Sequence, residues 1–475
     1  MSDCCVPKNG NDRFDVAVIG AGSAGFSAAI TAAGEGAQVA LIGHGTIGGT
    51  CVNVGCVPSK TMIRAAEALH GARSADRFAG ITGEAQVIDW QRLIAEKDDL
   101  VATMRQKKYT DLLPEYNAVA YLEGAARLTS DGVAVNGTTL PVAKTIIATG
   151  SQPSLPSIAG IESVPYLTST TALELNELPR SLMVLGGGYI GCELAQMFAR
   201  AGTKVTIVTR SRLLPEAEPE IAEALTEYFN DEGITVLSGL SYKQITSSQG
   251  NIELTIDKDG RAQTIEANHI LLTTGRSPNT DGLGLREVGI ELTERGAIKV
   301  DDRMRTSKHG VYAAGDVTGR DQFVYMAAYG AKLAALNAMN GNSLVYDNTA
   351  MPWVVFSDPQ VAGVGLSDAQ AREAGYETIT SIVPLEQVPR AVAARDTRGL
   401  IKLVADVKTD RLLGGQILAP EGADSIQTLA IALKHAMTAK ELGETIFPYL
   451  TTVEGLKLAA QSFGKDVSKL SCCAG

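Results

Sequence analysis

The 475-residue sequence lacks features that mark several other classes of protein. No apolar run reaches the roughly 18 residues that a membrane-spanning helix needs, and residues 1–14 hold no apolar core like that of a signal peptide. An excess of positive charge is also missing, because 53 acidic residues outnumber 42 lysines and arginines and set the net charge at −11. These absences argue against nucleic acid or an anionic membrane as a partner and predict a cytoplasmic location.

Cysteine is scarce and unevenly placed. The sequence contains seven cysteines, which is an odd number. In a reducing compartment, they do not predict a framework of structural disulfides. Cys192 stands alone and is expected in the core, whereas the other six form three close pairs: Cys4 and Cys5, Cys51 and Cys56, Cys472 and Cys473. Such pairs of thiols indicate redox chemistry or the binding of a soft metal ion.

A glycine-rich turn follows the first predicted strand, Asp15–Ile19, and precedes a helix that runs to about Gly36. Its residues include Gly20, Gly22, Ser23, Ala24 and Gly25. The glycines let the backbone approach a pyrophosphate, and the helix start supplies free N–H groups. The next strand, Gln38–Ile42, is followed by Gly43 and His44, although a carboxylate at this place commonly binds a ribose hydroxyl. The turn therefore predicts a dinucleotide site whose ribose contact comes from elsewhere.

The same pattern recurs in residues 181–208, where Gly186, Gly188 and Gly191 form the turn between a strand and a helix predicted at 192–201. After the second strand stand Arg210 and Arg212, where an acidic residue would select NAD. Guanidinium groups bind a 2′-phosphate, so these arginines predict NADPH as the electron donor. The alternative is a pair of solvated surface arginines.

Further segments complete the predicted fold. Five further strands are predicted, at Thr145–Gly150, Ile270–Gly275, Val311–Asp316, Gly399–Ala405 and Leu412–Leu418. A helix is predicted at Ser425–Thr438. The change of pattern near Trp353 indicates a third domain of α+β type. The fold class is therefore predicted as α/β, with two Rossmann-like dinucleotide-binding domains and a C-terminal α+β domain.

The segment GGTCVNVGCVPSK, residues 48–60, places Cys51 and Cys56 five residues apart beside the first turn. There they can form a disulfide that a neighbouring flavin reduces, or they can be small buried hydrophobic residues. The segment resembles the redox-active motif of the pyridine nucleotide–disulfide oxidoreductases, which include glutathione reductase and dihydrolipoamide dehydrogenase. The resemblance extends over residues 15–475 and includes ATG at 148–150, TGRSPN at 274–279 and AAGDVT at 313–318.

This resemblance implies FAD in the first turn and a glutathione reductase-like homodimer whose interface domain completes the partner's active site. The implied parts are a flexible arm 1–12, an FAD domain 13–152 and 276–346, an NADPH domain 153–275, and a dimerisation domain 347–475. Cys56 is implied as the thiolate nearest the flavin, Lys60 and Glu193 as neighbours of its ring, and Tyr189 as the gate for the nicotinamide. Residues implied to contact FAD also include Gly49, Thr50, Thr149, Gly150, Arg276, and Asp316 at the ribityl chain.

The C-terminal region separates members of the family. Those that exchange thiols carry a histidine five residues before a glutamate, and here Tyr449 precedes Glu454 instead. Tyrosine, with a pKa of about 10, is a poor proton shuttle at neutral pH. This disfavours a dithiol substrate, although a dithiol oxidoreductase such as dihydrolipoamide dehydrogenase, with an unusual acid–base group, stays an alternative.

The tail ends in Cys472 and Cys473. Their Cα atoms are about 3.8 Å apart across a trans peptide, below the usual disulfide range, so they suit the transfer of a soft cation better than a disulfide. The segments PYLTTVEGLKLAAQ and KDVSKLSCCAG resemble those of family members that reduce mercuric ion. The alternatives are a frayed tail with incidental cysteines and a flavoprotein that only sequesters mercury.

The resemblance implies a path for the metal. Cys472 and Cys473 of the partner subunit take thiol-complexed mercuric ion and pass it to Cys51 and Cys56, with Tyr189 and the partner's Tyr449 beside it. Related proteins often carry an N-terminal metal-binding domain with a GMTCxxC motif, and we expect a form without it. Cys4 and Cys5 are then either a shortened metal-catching arm or without function.

Overall fold

The computed structural model describes residues 14–465. The strands in this range are β1 Val16–Ile19, β2 Val39–Gly43, β3 Val119–Glu123, β4 Ala126–Thr129, β5 Gly132–Val135, β6 Thr138–Leu140, β7 Lys144–Ile147, β8 Ser151–Pro153, β9 Ser181–Leu185, β10 Lys204–Val208, β11 Thr235–Leu237, β12 Ser241–Ser248, β13 Asn251–Lys258, β14 Arg261–Ala267, β15 His269–Leu272, β16 Arg276–Pro278, β17 Val311–Ala313, β18 Pro352–Val355, β19 Gln360–Gly365, β20 Thr378–Pro384, β21 Leu400–Asp406 and β22 Leu412–Ala419. The α-helices are α1 Ser23–Gly34, α2 Gly49–Asn53, α3 Cys56–Arg73, α4 Trp90–Arg105, α5 Ser169–Ala172, α6 Tyr189–Ala201, α7 Pro219–Asp231, α8 Val324–Asn340, α9 Asp368–Glu373, α10 Pro389–Ala394, α11 Gly422–Lys434, α12 Ala439–Glu444 and α13 Glu454–Gln461.

These elements divide into two compact units. The first contains residues 14–61, 92–154 and 275–347, and the second contains residues 62–91, 155–274 and 348–465. The division into an FAD, an NADPH and a dimerisation domain stays a prediction. Within residues 14–465, none of the helices has both the length and the hydropathy that crossing a membrane requires.

The first unit is built on a parallel five-stranded sheet with the order β17-β7-β1-β2-β3. Strands β1 and β2 are buried along their whole length, as expected of a parallel sheet that is covered on both faces. Alanine-rich α1 and α8 pack together with this sheet in one apolar cluster, since small side chains allow close contact. The predicted β–turn–α–β unit is confirmed here.

Three predicted strands are shorter than the sequence pattern indicated. The strands β7, β15 and β17 end at Ile147, Leu272 and Ala313, three residues before the predicted ends. Each strand is followed, two or three residues later, by a glycine with positive φ: Gly150 at 71°, Gly275 at 117° and Gly315 at 76°. That backbone conformation leaves the extended region, so the residues after each strand form loops at the carboxyl edge of a sheet.

The second unit contains a parallel sheet with the order β11-β10-β9-β15 and an antiparallel sheet with the order β18-β19-β22-β21-β20. The helix α6 begins at Tyr189, three residues before its predicted start, because extended Gly188 is its N-cap. The helix α11 starts at Gly422, earlier than predicted, directly after its N-cap Glu421. It also ends earlier than predicted, because Ala436 has a φ of 52° and Thr438 caps α12. The two parallel sheets and the C-terminal α+β part confirm the predicted fold class.

Candidate active site

The first glycine turn forms a cradle that only glycine can line. Gly20 has a φ of 115°, and a methyl group on it would overlap the carbonyl of Ala148. A methyl group on Gly25 would overlap the carbonyl of Gly20, and one on Gly49 would lie 2.6 Å from the Cα of Gly22. The backbone of the turn is therefore bare on the side where α1 begins.

The start of α1 has free donors for a phosphate. Gly22 is the N-cap and offers no side chain to the N–H groups that follow at Ser23 and Ala24, and the first turn holds no acidic residue. Bare N–H groups and the positive end of the helix dipole favour an anion. The cradle therefore fits the pyrophosphate of a dinucleotide such as FAD. Tyr109, which sequence reasoning missed, places its hydroxyl 3.2 Å from the Ser23 hydroxyl.

A chain of hydrogen bonds orients Asp316 at the carboxyl edge of the same sheet. The Ser151 hydroxyl donates to Asp316 over 2.6 Å. Arg276 donates from Nε to the Ser151 hydroxyl over 2.7 Å and from Nη2 to the Ser151 carbonyl over 2.8 Å. The structure thus brings together the predicted Arg276 and Asp316 through Ser151, which no sequence motif had indicated. Thr149 and Gly150 lie beside them at the end of β7.

The two cysteines of the motif lie in contact. Cys51 is in α2, Cys56 begins α3, and both side chains are partly buried. A hydrogen bond with the Cys56 sulfur, followed by burial, raises the pKa of Cys51, while the charge of Lys60 acts in the opposite direction. The Cys51 thiol therefore keeps its proton and can donate it to a Cys56 thiolate. Lys60 lies one helical turn after Cys56 and adds positive charge to this pair.

The helix that carries Cys51 is fastened by Asn53. Its side-chain amide donates to the carbonyls of Ile47 and Gly49 at 2.9 Å each, and its oxygen accepts a hydrogen bond from Arg105 over 3.0 Å. These bonds fasten α2 to the segment that precedes it and to α4. Thr50, predicted to contact FAD, is exposed at the start of this helix.

The second glycine turn repeats the first one in the second unit. Gly186 has a φ of 108°, and a methyl group on it would lie 2.6 Å from the carbonyl oxygen of Thr273. A methyl group on Gly191 would overlap the Gly186 carbonyl, so this glycine lets α6 pack against β9. Open space surrounds Gly188, the uncapped N-cap of α6. This arrangement also fits a dinucleotide pyrophosphate.

The two arginines after β10 differ in their contacts. Arg212 donates from Nη2 to the carbonyls of Pro215 and Ala217, over 3.0 and 2.5 Å, and so braces its own loop. Arg210 is exposed. Its guanidinium group is therefore the better placed of the two to turn towards a phosphate.

Tyr189, at the start of α6, stacks on Trp353 of β18. Their ring centroids are 5.5 Å apart and the ring planes are 26° from parallel. The indole lies over Gly363, its cross-strand partner, where a methyl group would overlap the ring. Sequence reasoning missed this contact because it depends on the register of β18 with β19.

Glu193 lies on the same helix and is 5% exposed. Its carboxylate accepts a hydrogen bond from the Phe356 amide over 2.9 Å. One and two turns further along, Gln196 and Arg200 bind Asp358, which fastens the loop after β18 to α6. Glu193 is thus held in place by the backbone. Its predicted approach to Lys60 joins the two units and stays a prediction.

Comparison with known proteins now gives the family. Residues 14–335 match the model of "pyridine nucleotide-disulphide oxidoreductase", and residues 351–460 match the dimerisation domain of the same family. The chain belongs to the pyridine nucleotide-disulphide oxidoreductases. The chain is therefore a flavin-dependent oxidoreductase that uses a pyridine nucleotide.

Within the family, the chain is similar to curated mercuric reductases. It is 47% identical to that of Streptomyces lividans over 97% of this chain and 98% of the relative. It is 44% identical to that of Bacillus cereus over 100% of this chain and 75% of the relative. Among solved structures, the chain is similar to a Cu(II) complex of the HOCl-induced flavoprotein disulfide reductase RclA from Escherichia coli. The two chains are 30% identical and have a TM-score of 0.84, and the match covers 95% of this chain and 99% of the RclA chain. The predicted membership of the mercury-reducing branch is confirmed.

The remaining predicted residues of this oxidoreductase have mixed outcomes. Tyr449 is 56% exposed and lies in a loop whose Leu450 amide donates to buried Glu454. Cys192 is fully buried, which confirms it as a core residue, and burial raises the pKa of its thiol. Cys4, Cys5, Cys472, Cys473 and the arm 1–12 lie outside the described residues. In the part of the chain that the structure describes, no cluster of three or more ligating side chains forms a metal site.

Proposed function

We propose that the protein reduces mercuric ion, supplied as a thiol complex, to elemental mercury with electrons from NADPH. The observation that carries this proposal is the hydrogen-bonded pair of Cys51 and Cys56 in a chain that is 44 to 47% identical to mercuric reductases over most of its length. The presence of Tyr449 at the place of the acid–base histidine is consistent with a metal substrate, because transfer of a metal between thiolates needs no such group.

The residues divide the work between them. The first glycine turn, with Ser151, Arg276 and Asp316, would hold FAD, which supplies a two-electron link between NADPH and the Cys51–Cys56 disulfide. The reduced dithiol then binds mercuric ion through two sulfur atoms, which suits a soft cation. Lys60 stabilises the negative charge of the thiolate until the bound metal ion neutralises that charge.

The number of electrons that the bound metal accepts equals the number that one NADPH supplies. Each mercuric ion takes up two electrons, the equivalent of one further NADPH, and leaves as a neutral atom that thiolates no longer hold. The enzyme thus works in its reduced dithiol state. We place it in the cytoplasm, a reducing compartment in which small thiols that bind mercuric ion are available.

The direct test measures NADPH oxidation by the purified holoenzyme in the presence of excess small thiol. Mercuric ion is expected to stimulate the oxidation strongly and to release mercury vapour in a ratio of about one atom per NADPH. Zinc ion, which binds thiolates but has no redox chemistry, serves as the control and should give no stimulation. A disulfide substrate that is reduced as fast as mercuric ion would favour a dithiol reductase. Tight mercury binding without NADPH oxidation would favour a sequestering flavoprotein.

The C-terminal cysteines are proposed to deliver the metal within a homodimer. A tethered thiol pair converts capture from small thiols into an intramolecular transfer. In Cys472→Ala/Cys473→Ala, mercury-dependent turnover at low thiol excess is expected to fall about tenfold or more. The rate of flavin reduction by NADPH alone should stay unchanged. Full turnover at low thiol excess in this variant would remove the tail from the mechanism, while Cys4→Ala/Cys5→Ala tests the N-terminal pair in the same assay.

Selection of NADPH is proposed to depend mainly on Arg210. In Arg210→Ala the KM for NADPH is expected to rise about tenfold or more, because a charge-assisted hydrogen bond to the 2′-phosphate is lost. The KM for NADH should change little. Arg212→Ala is expected to affect both nucleotides, since Arg212 braces its loop. Arg261→Ala, at the exposed start of β14, is the matched control. An equal rise for both nucleotides in Arg210→Ala would contradict the assignment.

A further inference from the structure

The end of β2 lacks the carboxylate that dinucleotide-binding folds commonly place there. The strand ends at Gly43, and exposed His44 follows it. In such folds an acidic residue at this point binds a hydroxyl of the adenosine ribose. The ribose of a bound FAD must therefore find another partner near Gly43.

Tyr121 of β3 occupies the space over Gly43. A methyl group built on Gly43 would lie 2.5 Å from the Tyr121 hydroxyl oxygen, 2.8 Å from Tyr121 Cε2 and 2.8 Å from the Cβ of Ala21. The phenol thus reaches diagonally across from the neighbouring strand, where Leu41 is the direct partner of Tyr121. Because Ala21 belongs to the first glycine turn, the hydroxyl lies at the edge of the proposed FAD cradle.

The state of this hydroxyl suits a neutral hydrogen-bonding role. The ring packs against an apolar core cluster of the first unit, and the residue as a whole is partly buried. Burial and the charge of Glu123 raise the pKa of Tyr121, so the group keeps its proton and can both donate and accept. No protein group within residues 14–465 forms a hydrogen bond with it.

We propose that Tyr121 replaces the missing carboxylate and binds a hydroxyl of the adenosine ribose of FAD. The inference rests on the proposed placement of FAD in the first glycine turn. Glycine at 43 and tyrosine at 121 then form a matched pair, since the phenol needs the space that a side chain at 43 would fill. Glu123, the direct partner of Gly43 in β3, is the competing candidate on the same face of the sheet.

The first test is Tyr121→Phe, which keeps the ring and removes only the hydroxyl. The dissociation constant for FAD, measured from flavin fluorescence during serial dilution of the holoenzyme, is expected to rise about five- to tenfold. FAD analogues that lack the adenosine 2′- or 3′-hydroxyl locate the contact. One of them should bind the wild type more weakly than FAD does, and bind Tyr121→Phe as well as FAD does. Glu123→Gln is the matched control and should bind FAD like the wild type.

The second test exchanges the pair. Gly43→Glu alone is expected to weaken FAD binding, because its Cβ collides with the phenol. In a Tyr121→Val background, where a β-branched side chain suits the strand and leaves that space open, Gly43→Glu is expected to restore FAD binding to within about threefold of the wild type. The same substitution thus has opposite signs in the two backgrounds.

Several outcomes would overturn the inference. Tyr121→Phe that binds FAD and both analogues like the wild type would leave Tyr121 with a packing role only. Weaker binding in Glu123→Gln, with Tyr121→Phe unaffected, would move the contact to Glu123. A wild-type protein that binds no FAD would overturn the placement of the cofactor as well. None of these measurements uses mercury, so the choice of metal substrate is tested separately.

Discussion

Replacing Cys56 with serine is expected to abolish mercury-dependent NADPH oxidation, with turnover falling on the order of 10³-fold or more. Serine can neither form a disulfide with Cys51 nor bind a soft cation as a thiolate does. Both the electron acceptor and the metal site are therefore lost in one change. NADPH absorbance and trapped mercury vapour measure the effect, and the flavin content of the variant should equal that of the wild type.

The same variant reports on the ionisation of Cys51. A hydrogen bond with the Cys56 sulfur is the largest cause of the raised pKa of Cys51. A neutral serine hydroxyl accepts a weaker hydrogen bond than a thiolate does and carries no charge, so the pKa of Cys51 should fall, and alkylation by iodoacetamide should begin at lower pH than in the reduced wild type. Cys192→Ala, a change at a fully buried cysteine, is the control and should alter turnover less than about twofold. Near-normal turnover in Cys56→Ser would refute the mechanism.

Replacing Gly25 with alanine is expected to produce a protein without flavin. The added methyl group would overlap the carbonyl oxygen of Gly20, a backbone atom that cannot move without opening the turn. Overpacking of this kind costs about 3 kcal/mol or more. The flavin absorbance per protein should therefore fall to about one tenth or less of the wild-type value.

Gly34→Ala provides a matched control in the same helix. Gly34 is the exposed last residue of α1, and a methyl group on it would meet no atom within 4 Å. Alanine there should leave flavin content unchanged and stabilise the helix by up to about 1 kcal/mol. Thermal unfolding followed by flavin release compares the two variants. Retention of flavin in Gly25→Ala would mean that the turn is more adaptable than its geometry indicates.

Much of the site could be predicted because its signals are local. A glycine turn between a strand and a helix occupies six neighbouring residues, and both turns, at 20–25 and 186–191, have the predicted conformation. The pair Cys51 and Cys56 is equally local, since the helix start at Cys56 brings the two thiols together. The strand ends were less predictable, because apolar or strand-like runs continue into the glycine loops that follow β7, β15 and β17.

The residues that were missed act across long distances in the sequence. Ser151 orients Asp316 across 165 positions, and Tyr109 reaches Ser23 across 86. Trp353 supports Tyr189 only because β18 pairs with β19 in a register that sets the indole over Gly363. No pattern in a single segment carries these contacts.

The sequence by itself determined two glycine turns, the cysteine pair of the motif and the tyrosine at position 449, because each depends on neighbouring residues in the chain. Only the tertiary structure decided which distant side chains lie beside these segments, such as Tyr121 over Gly43 and Ser151 on Asp316. The physical reason is that strand order and register bring distant residues within a few ångströms. Folding creates that proximity, and local sequence patterns do not encode it.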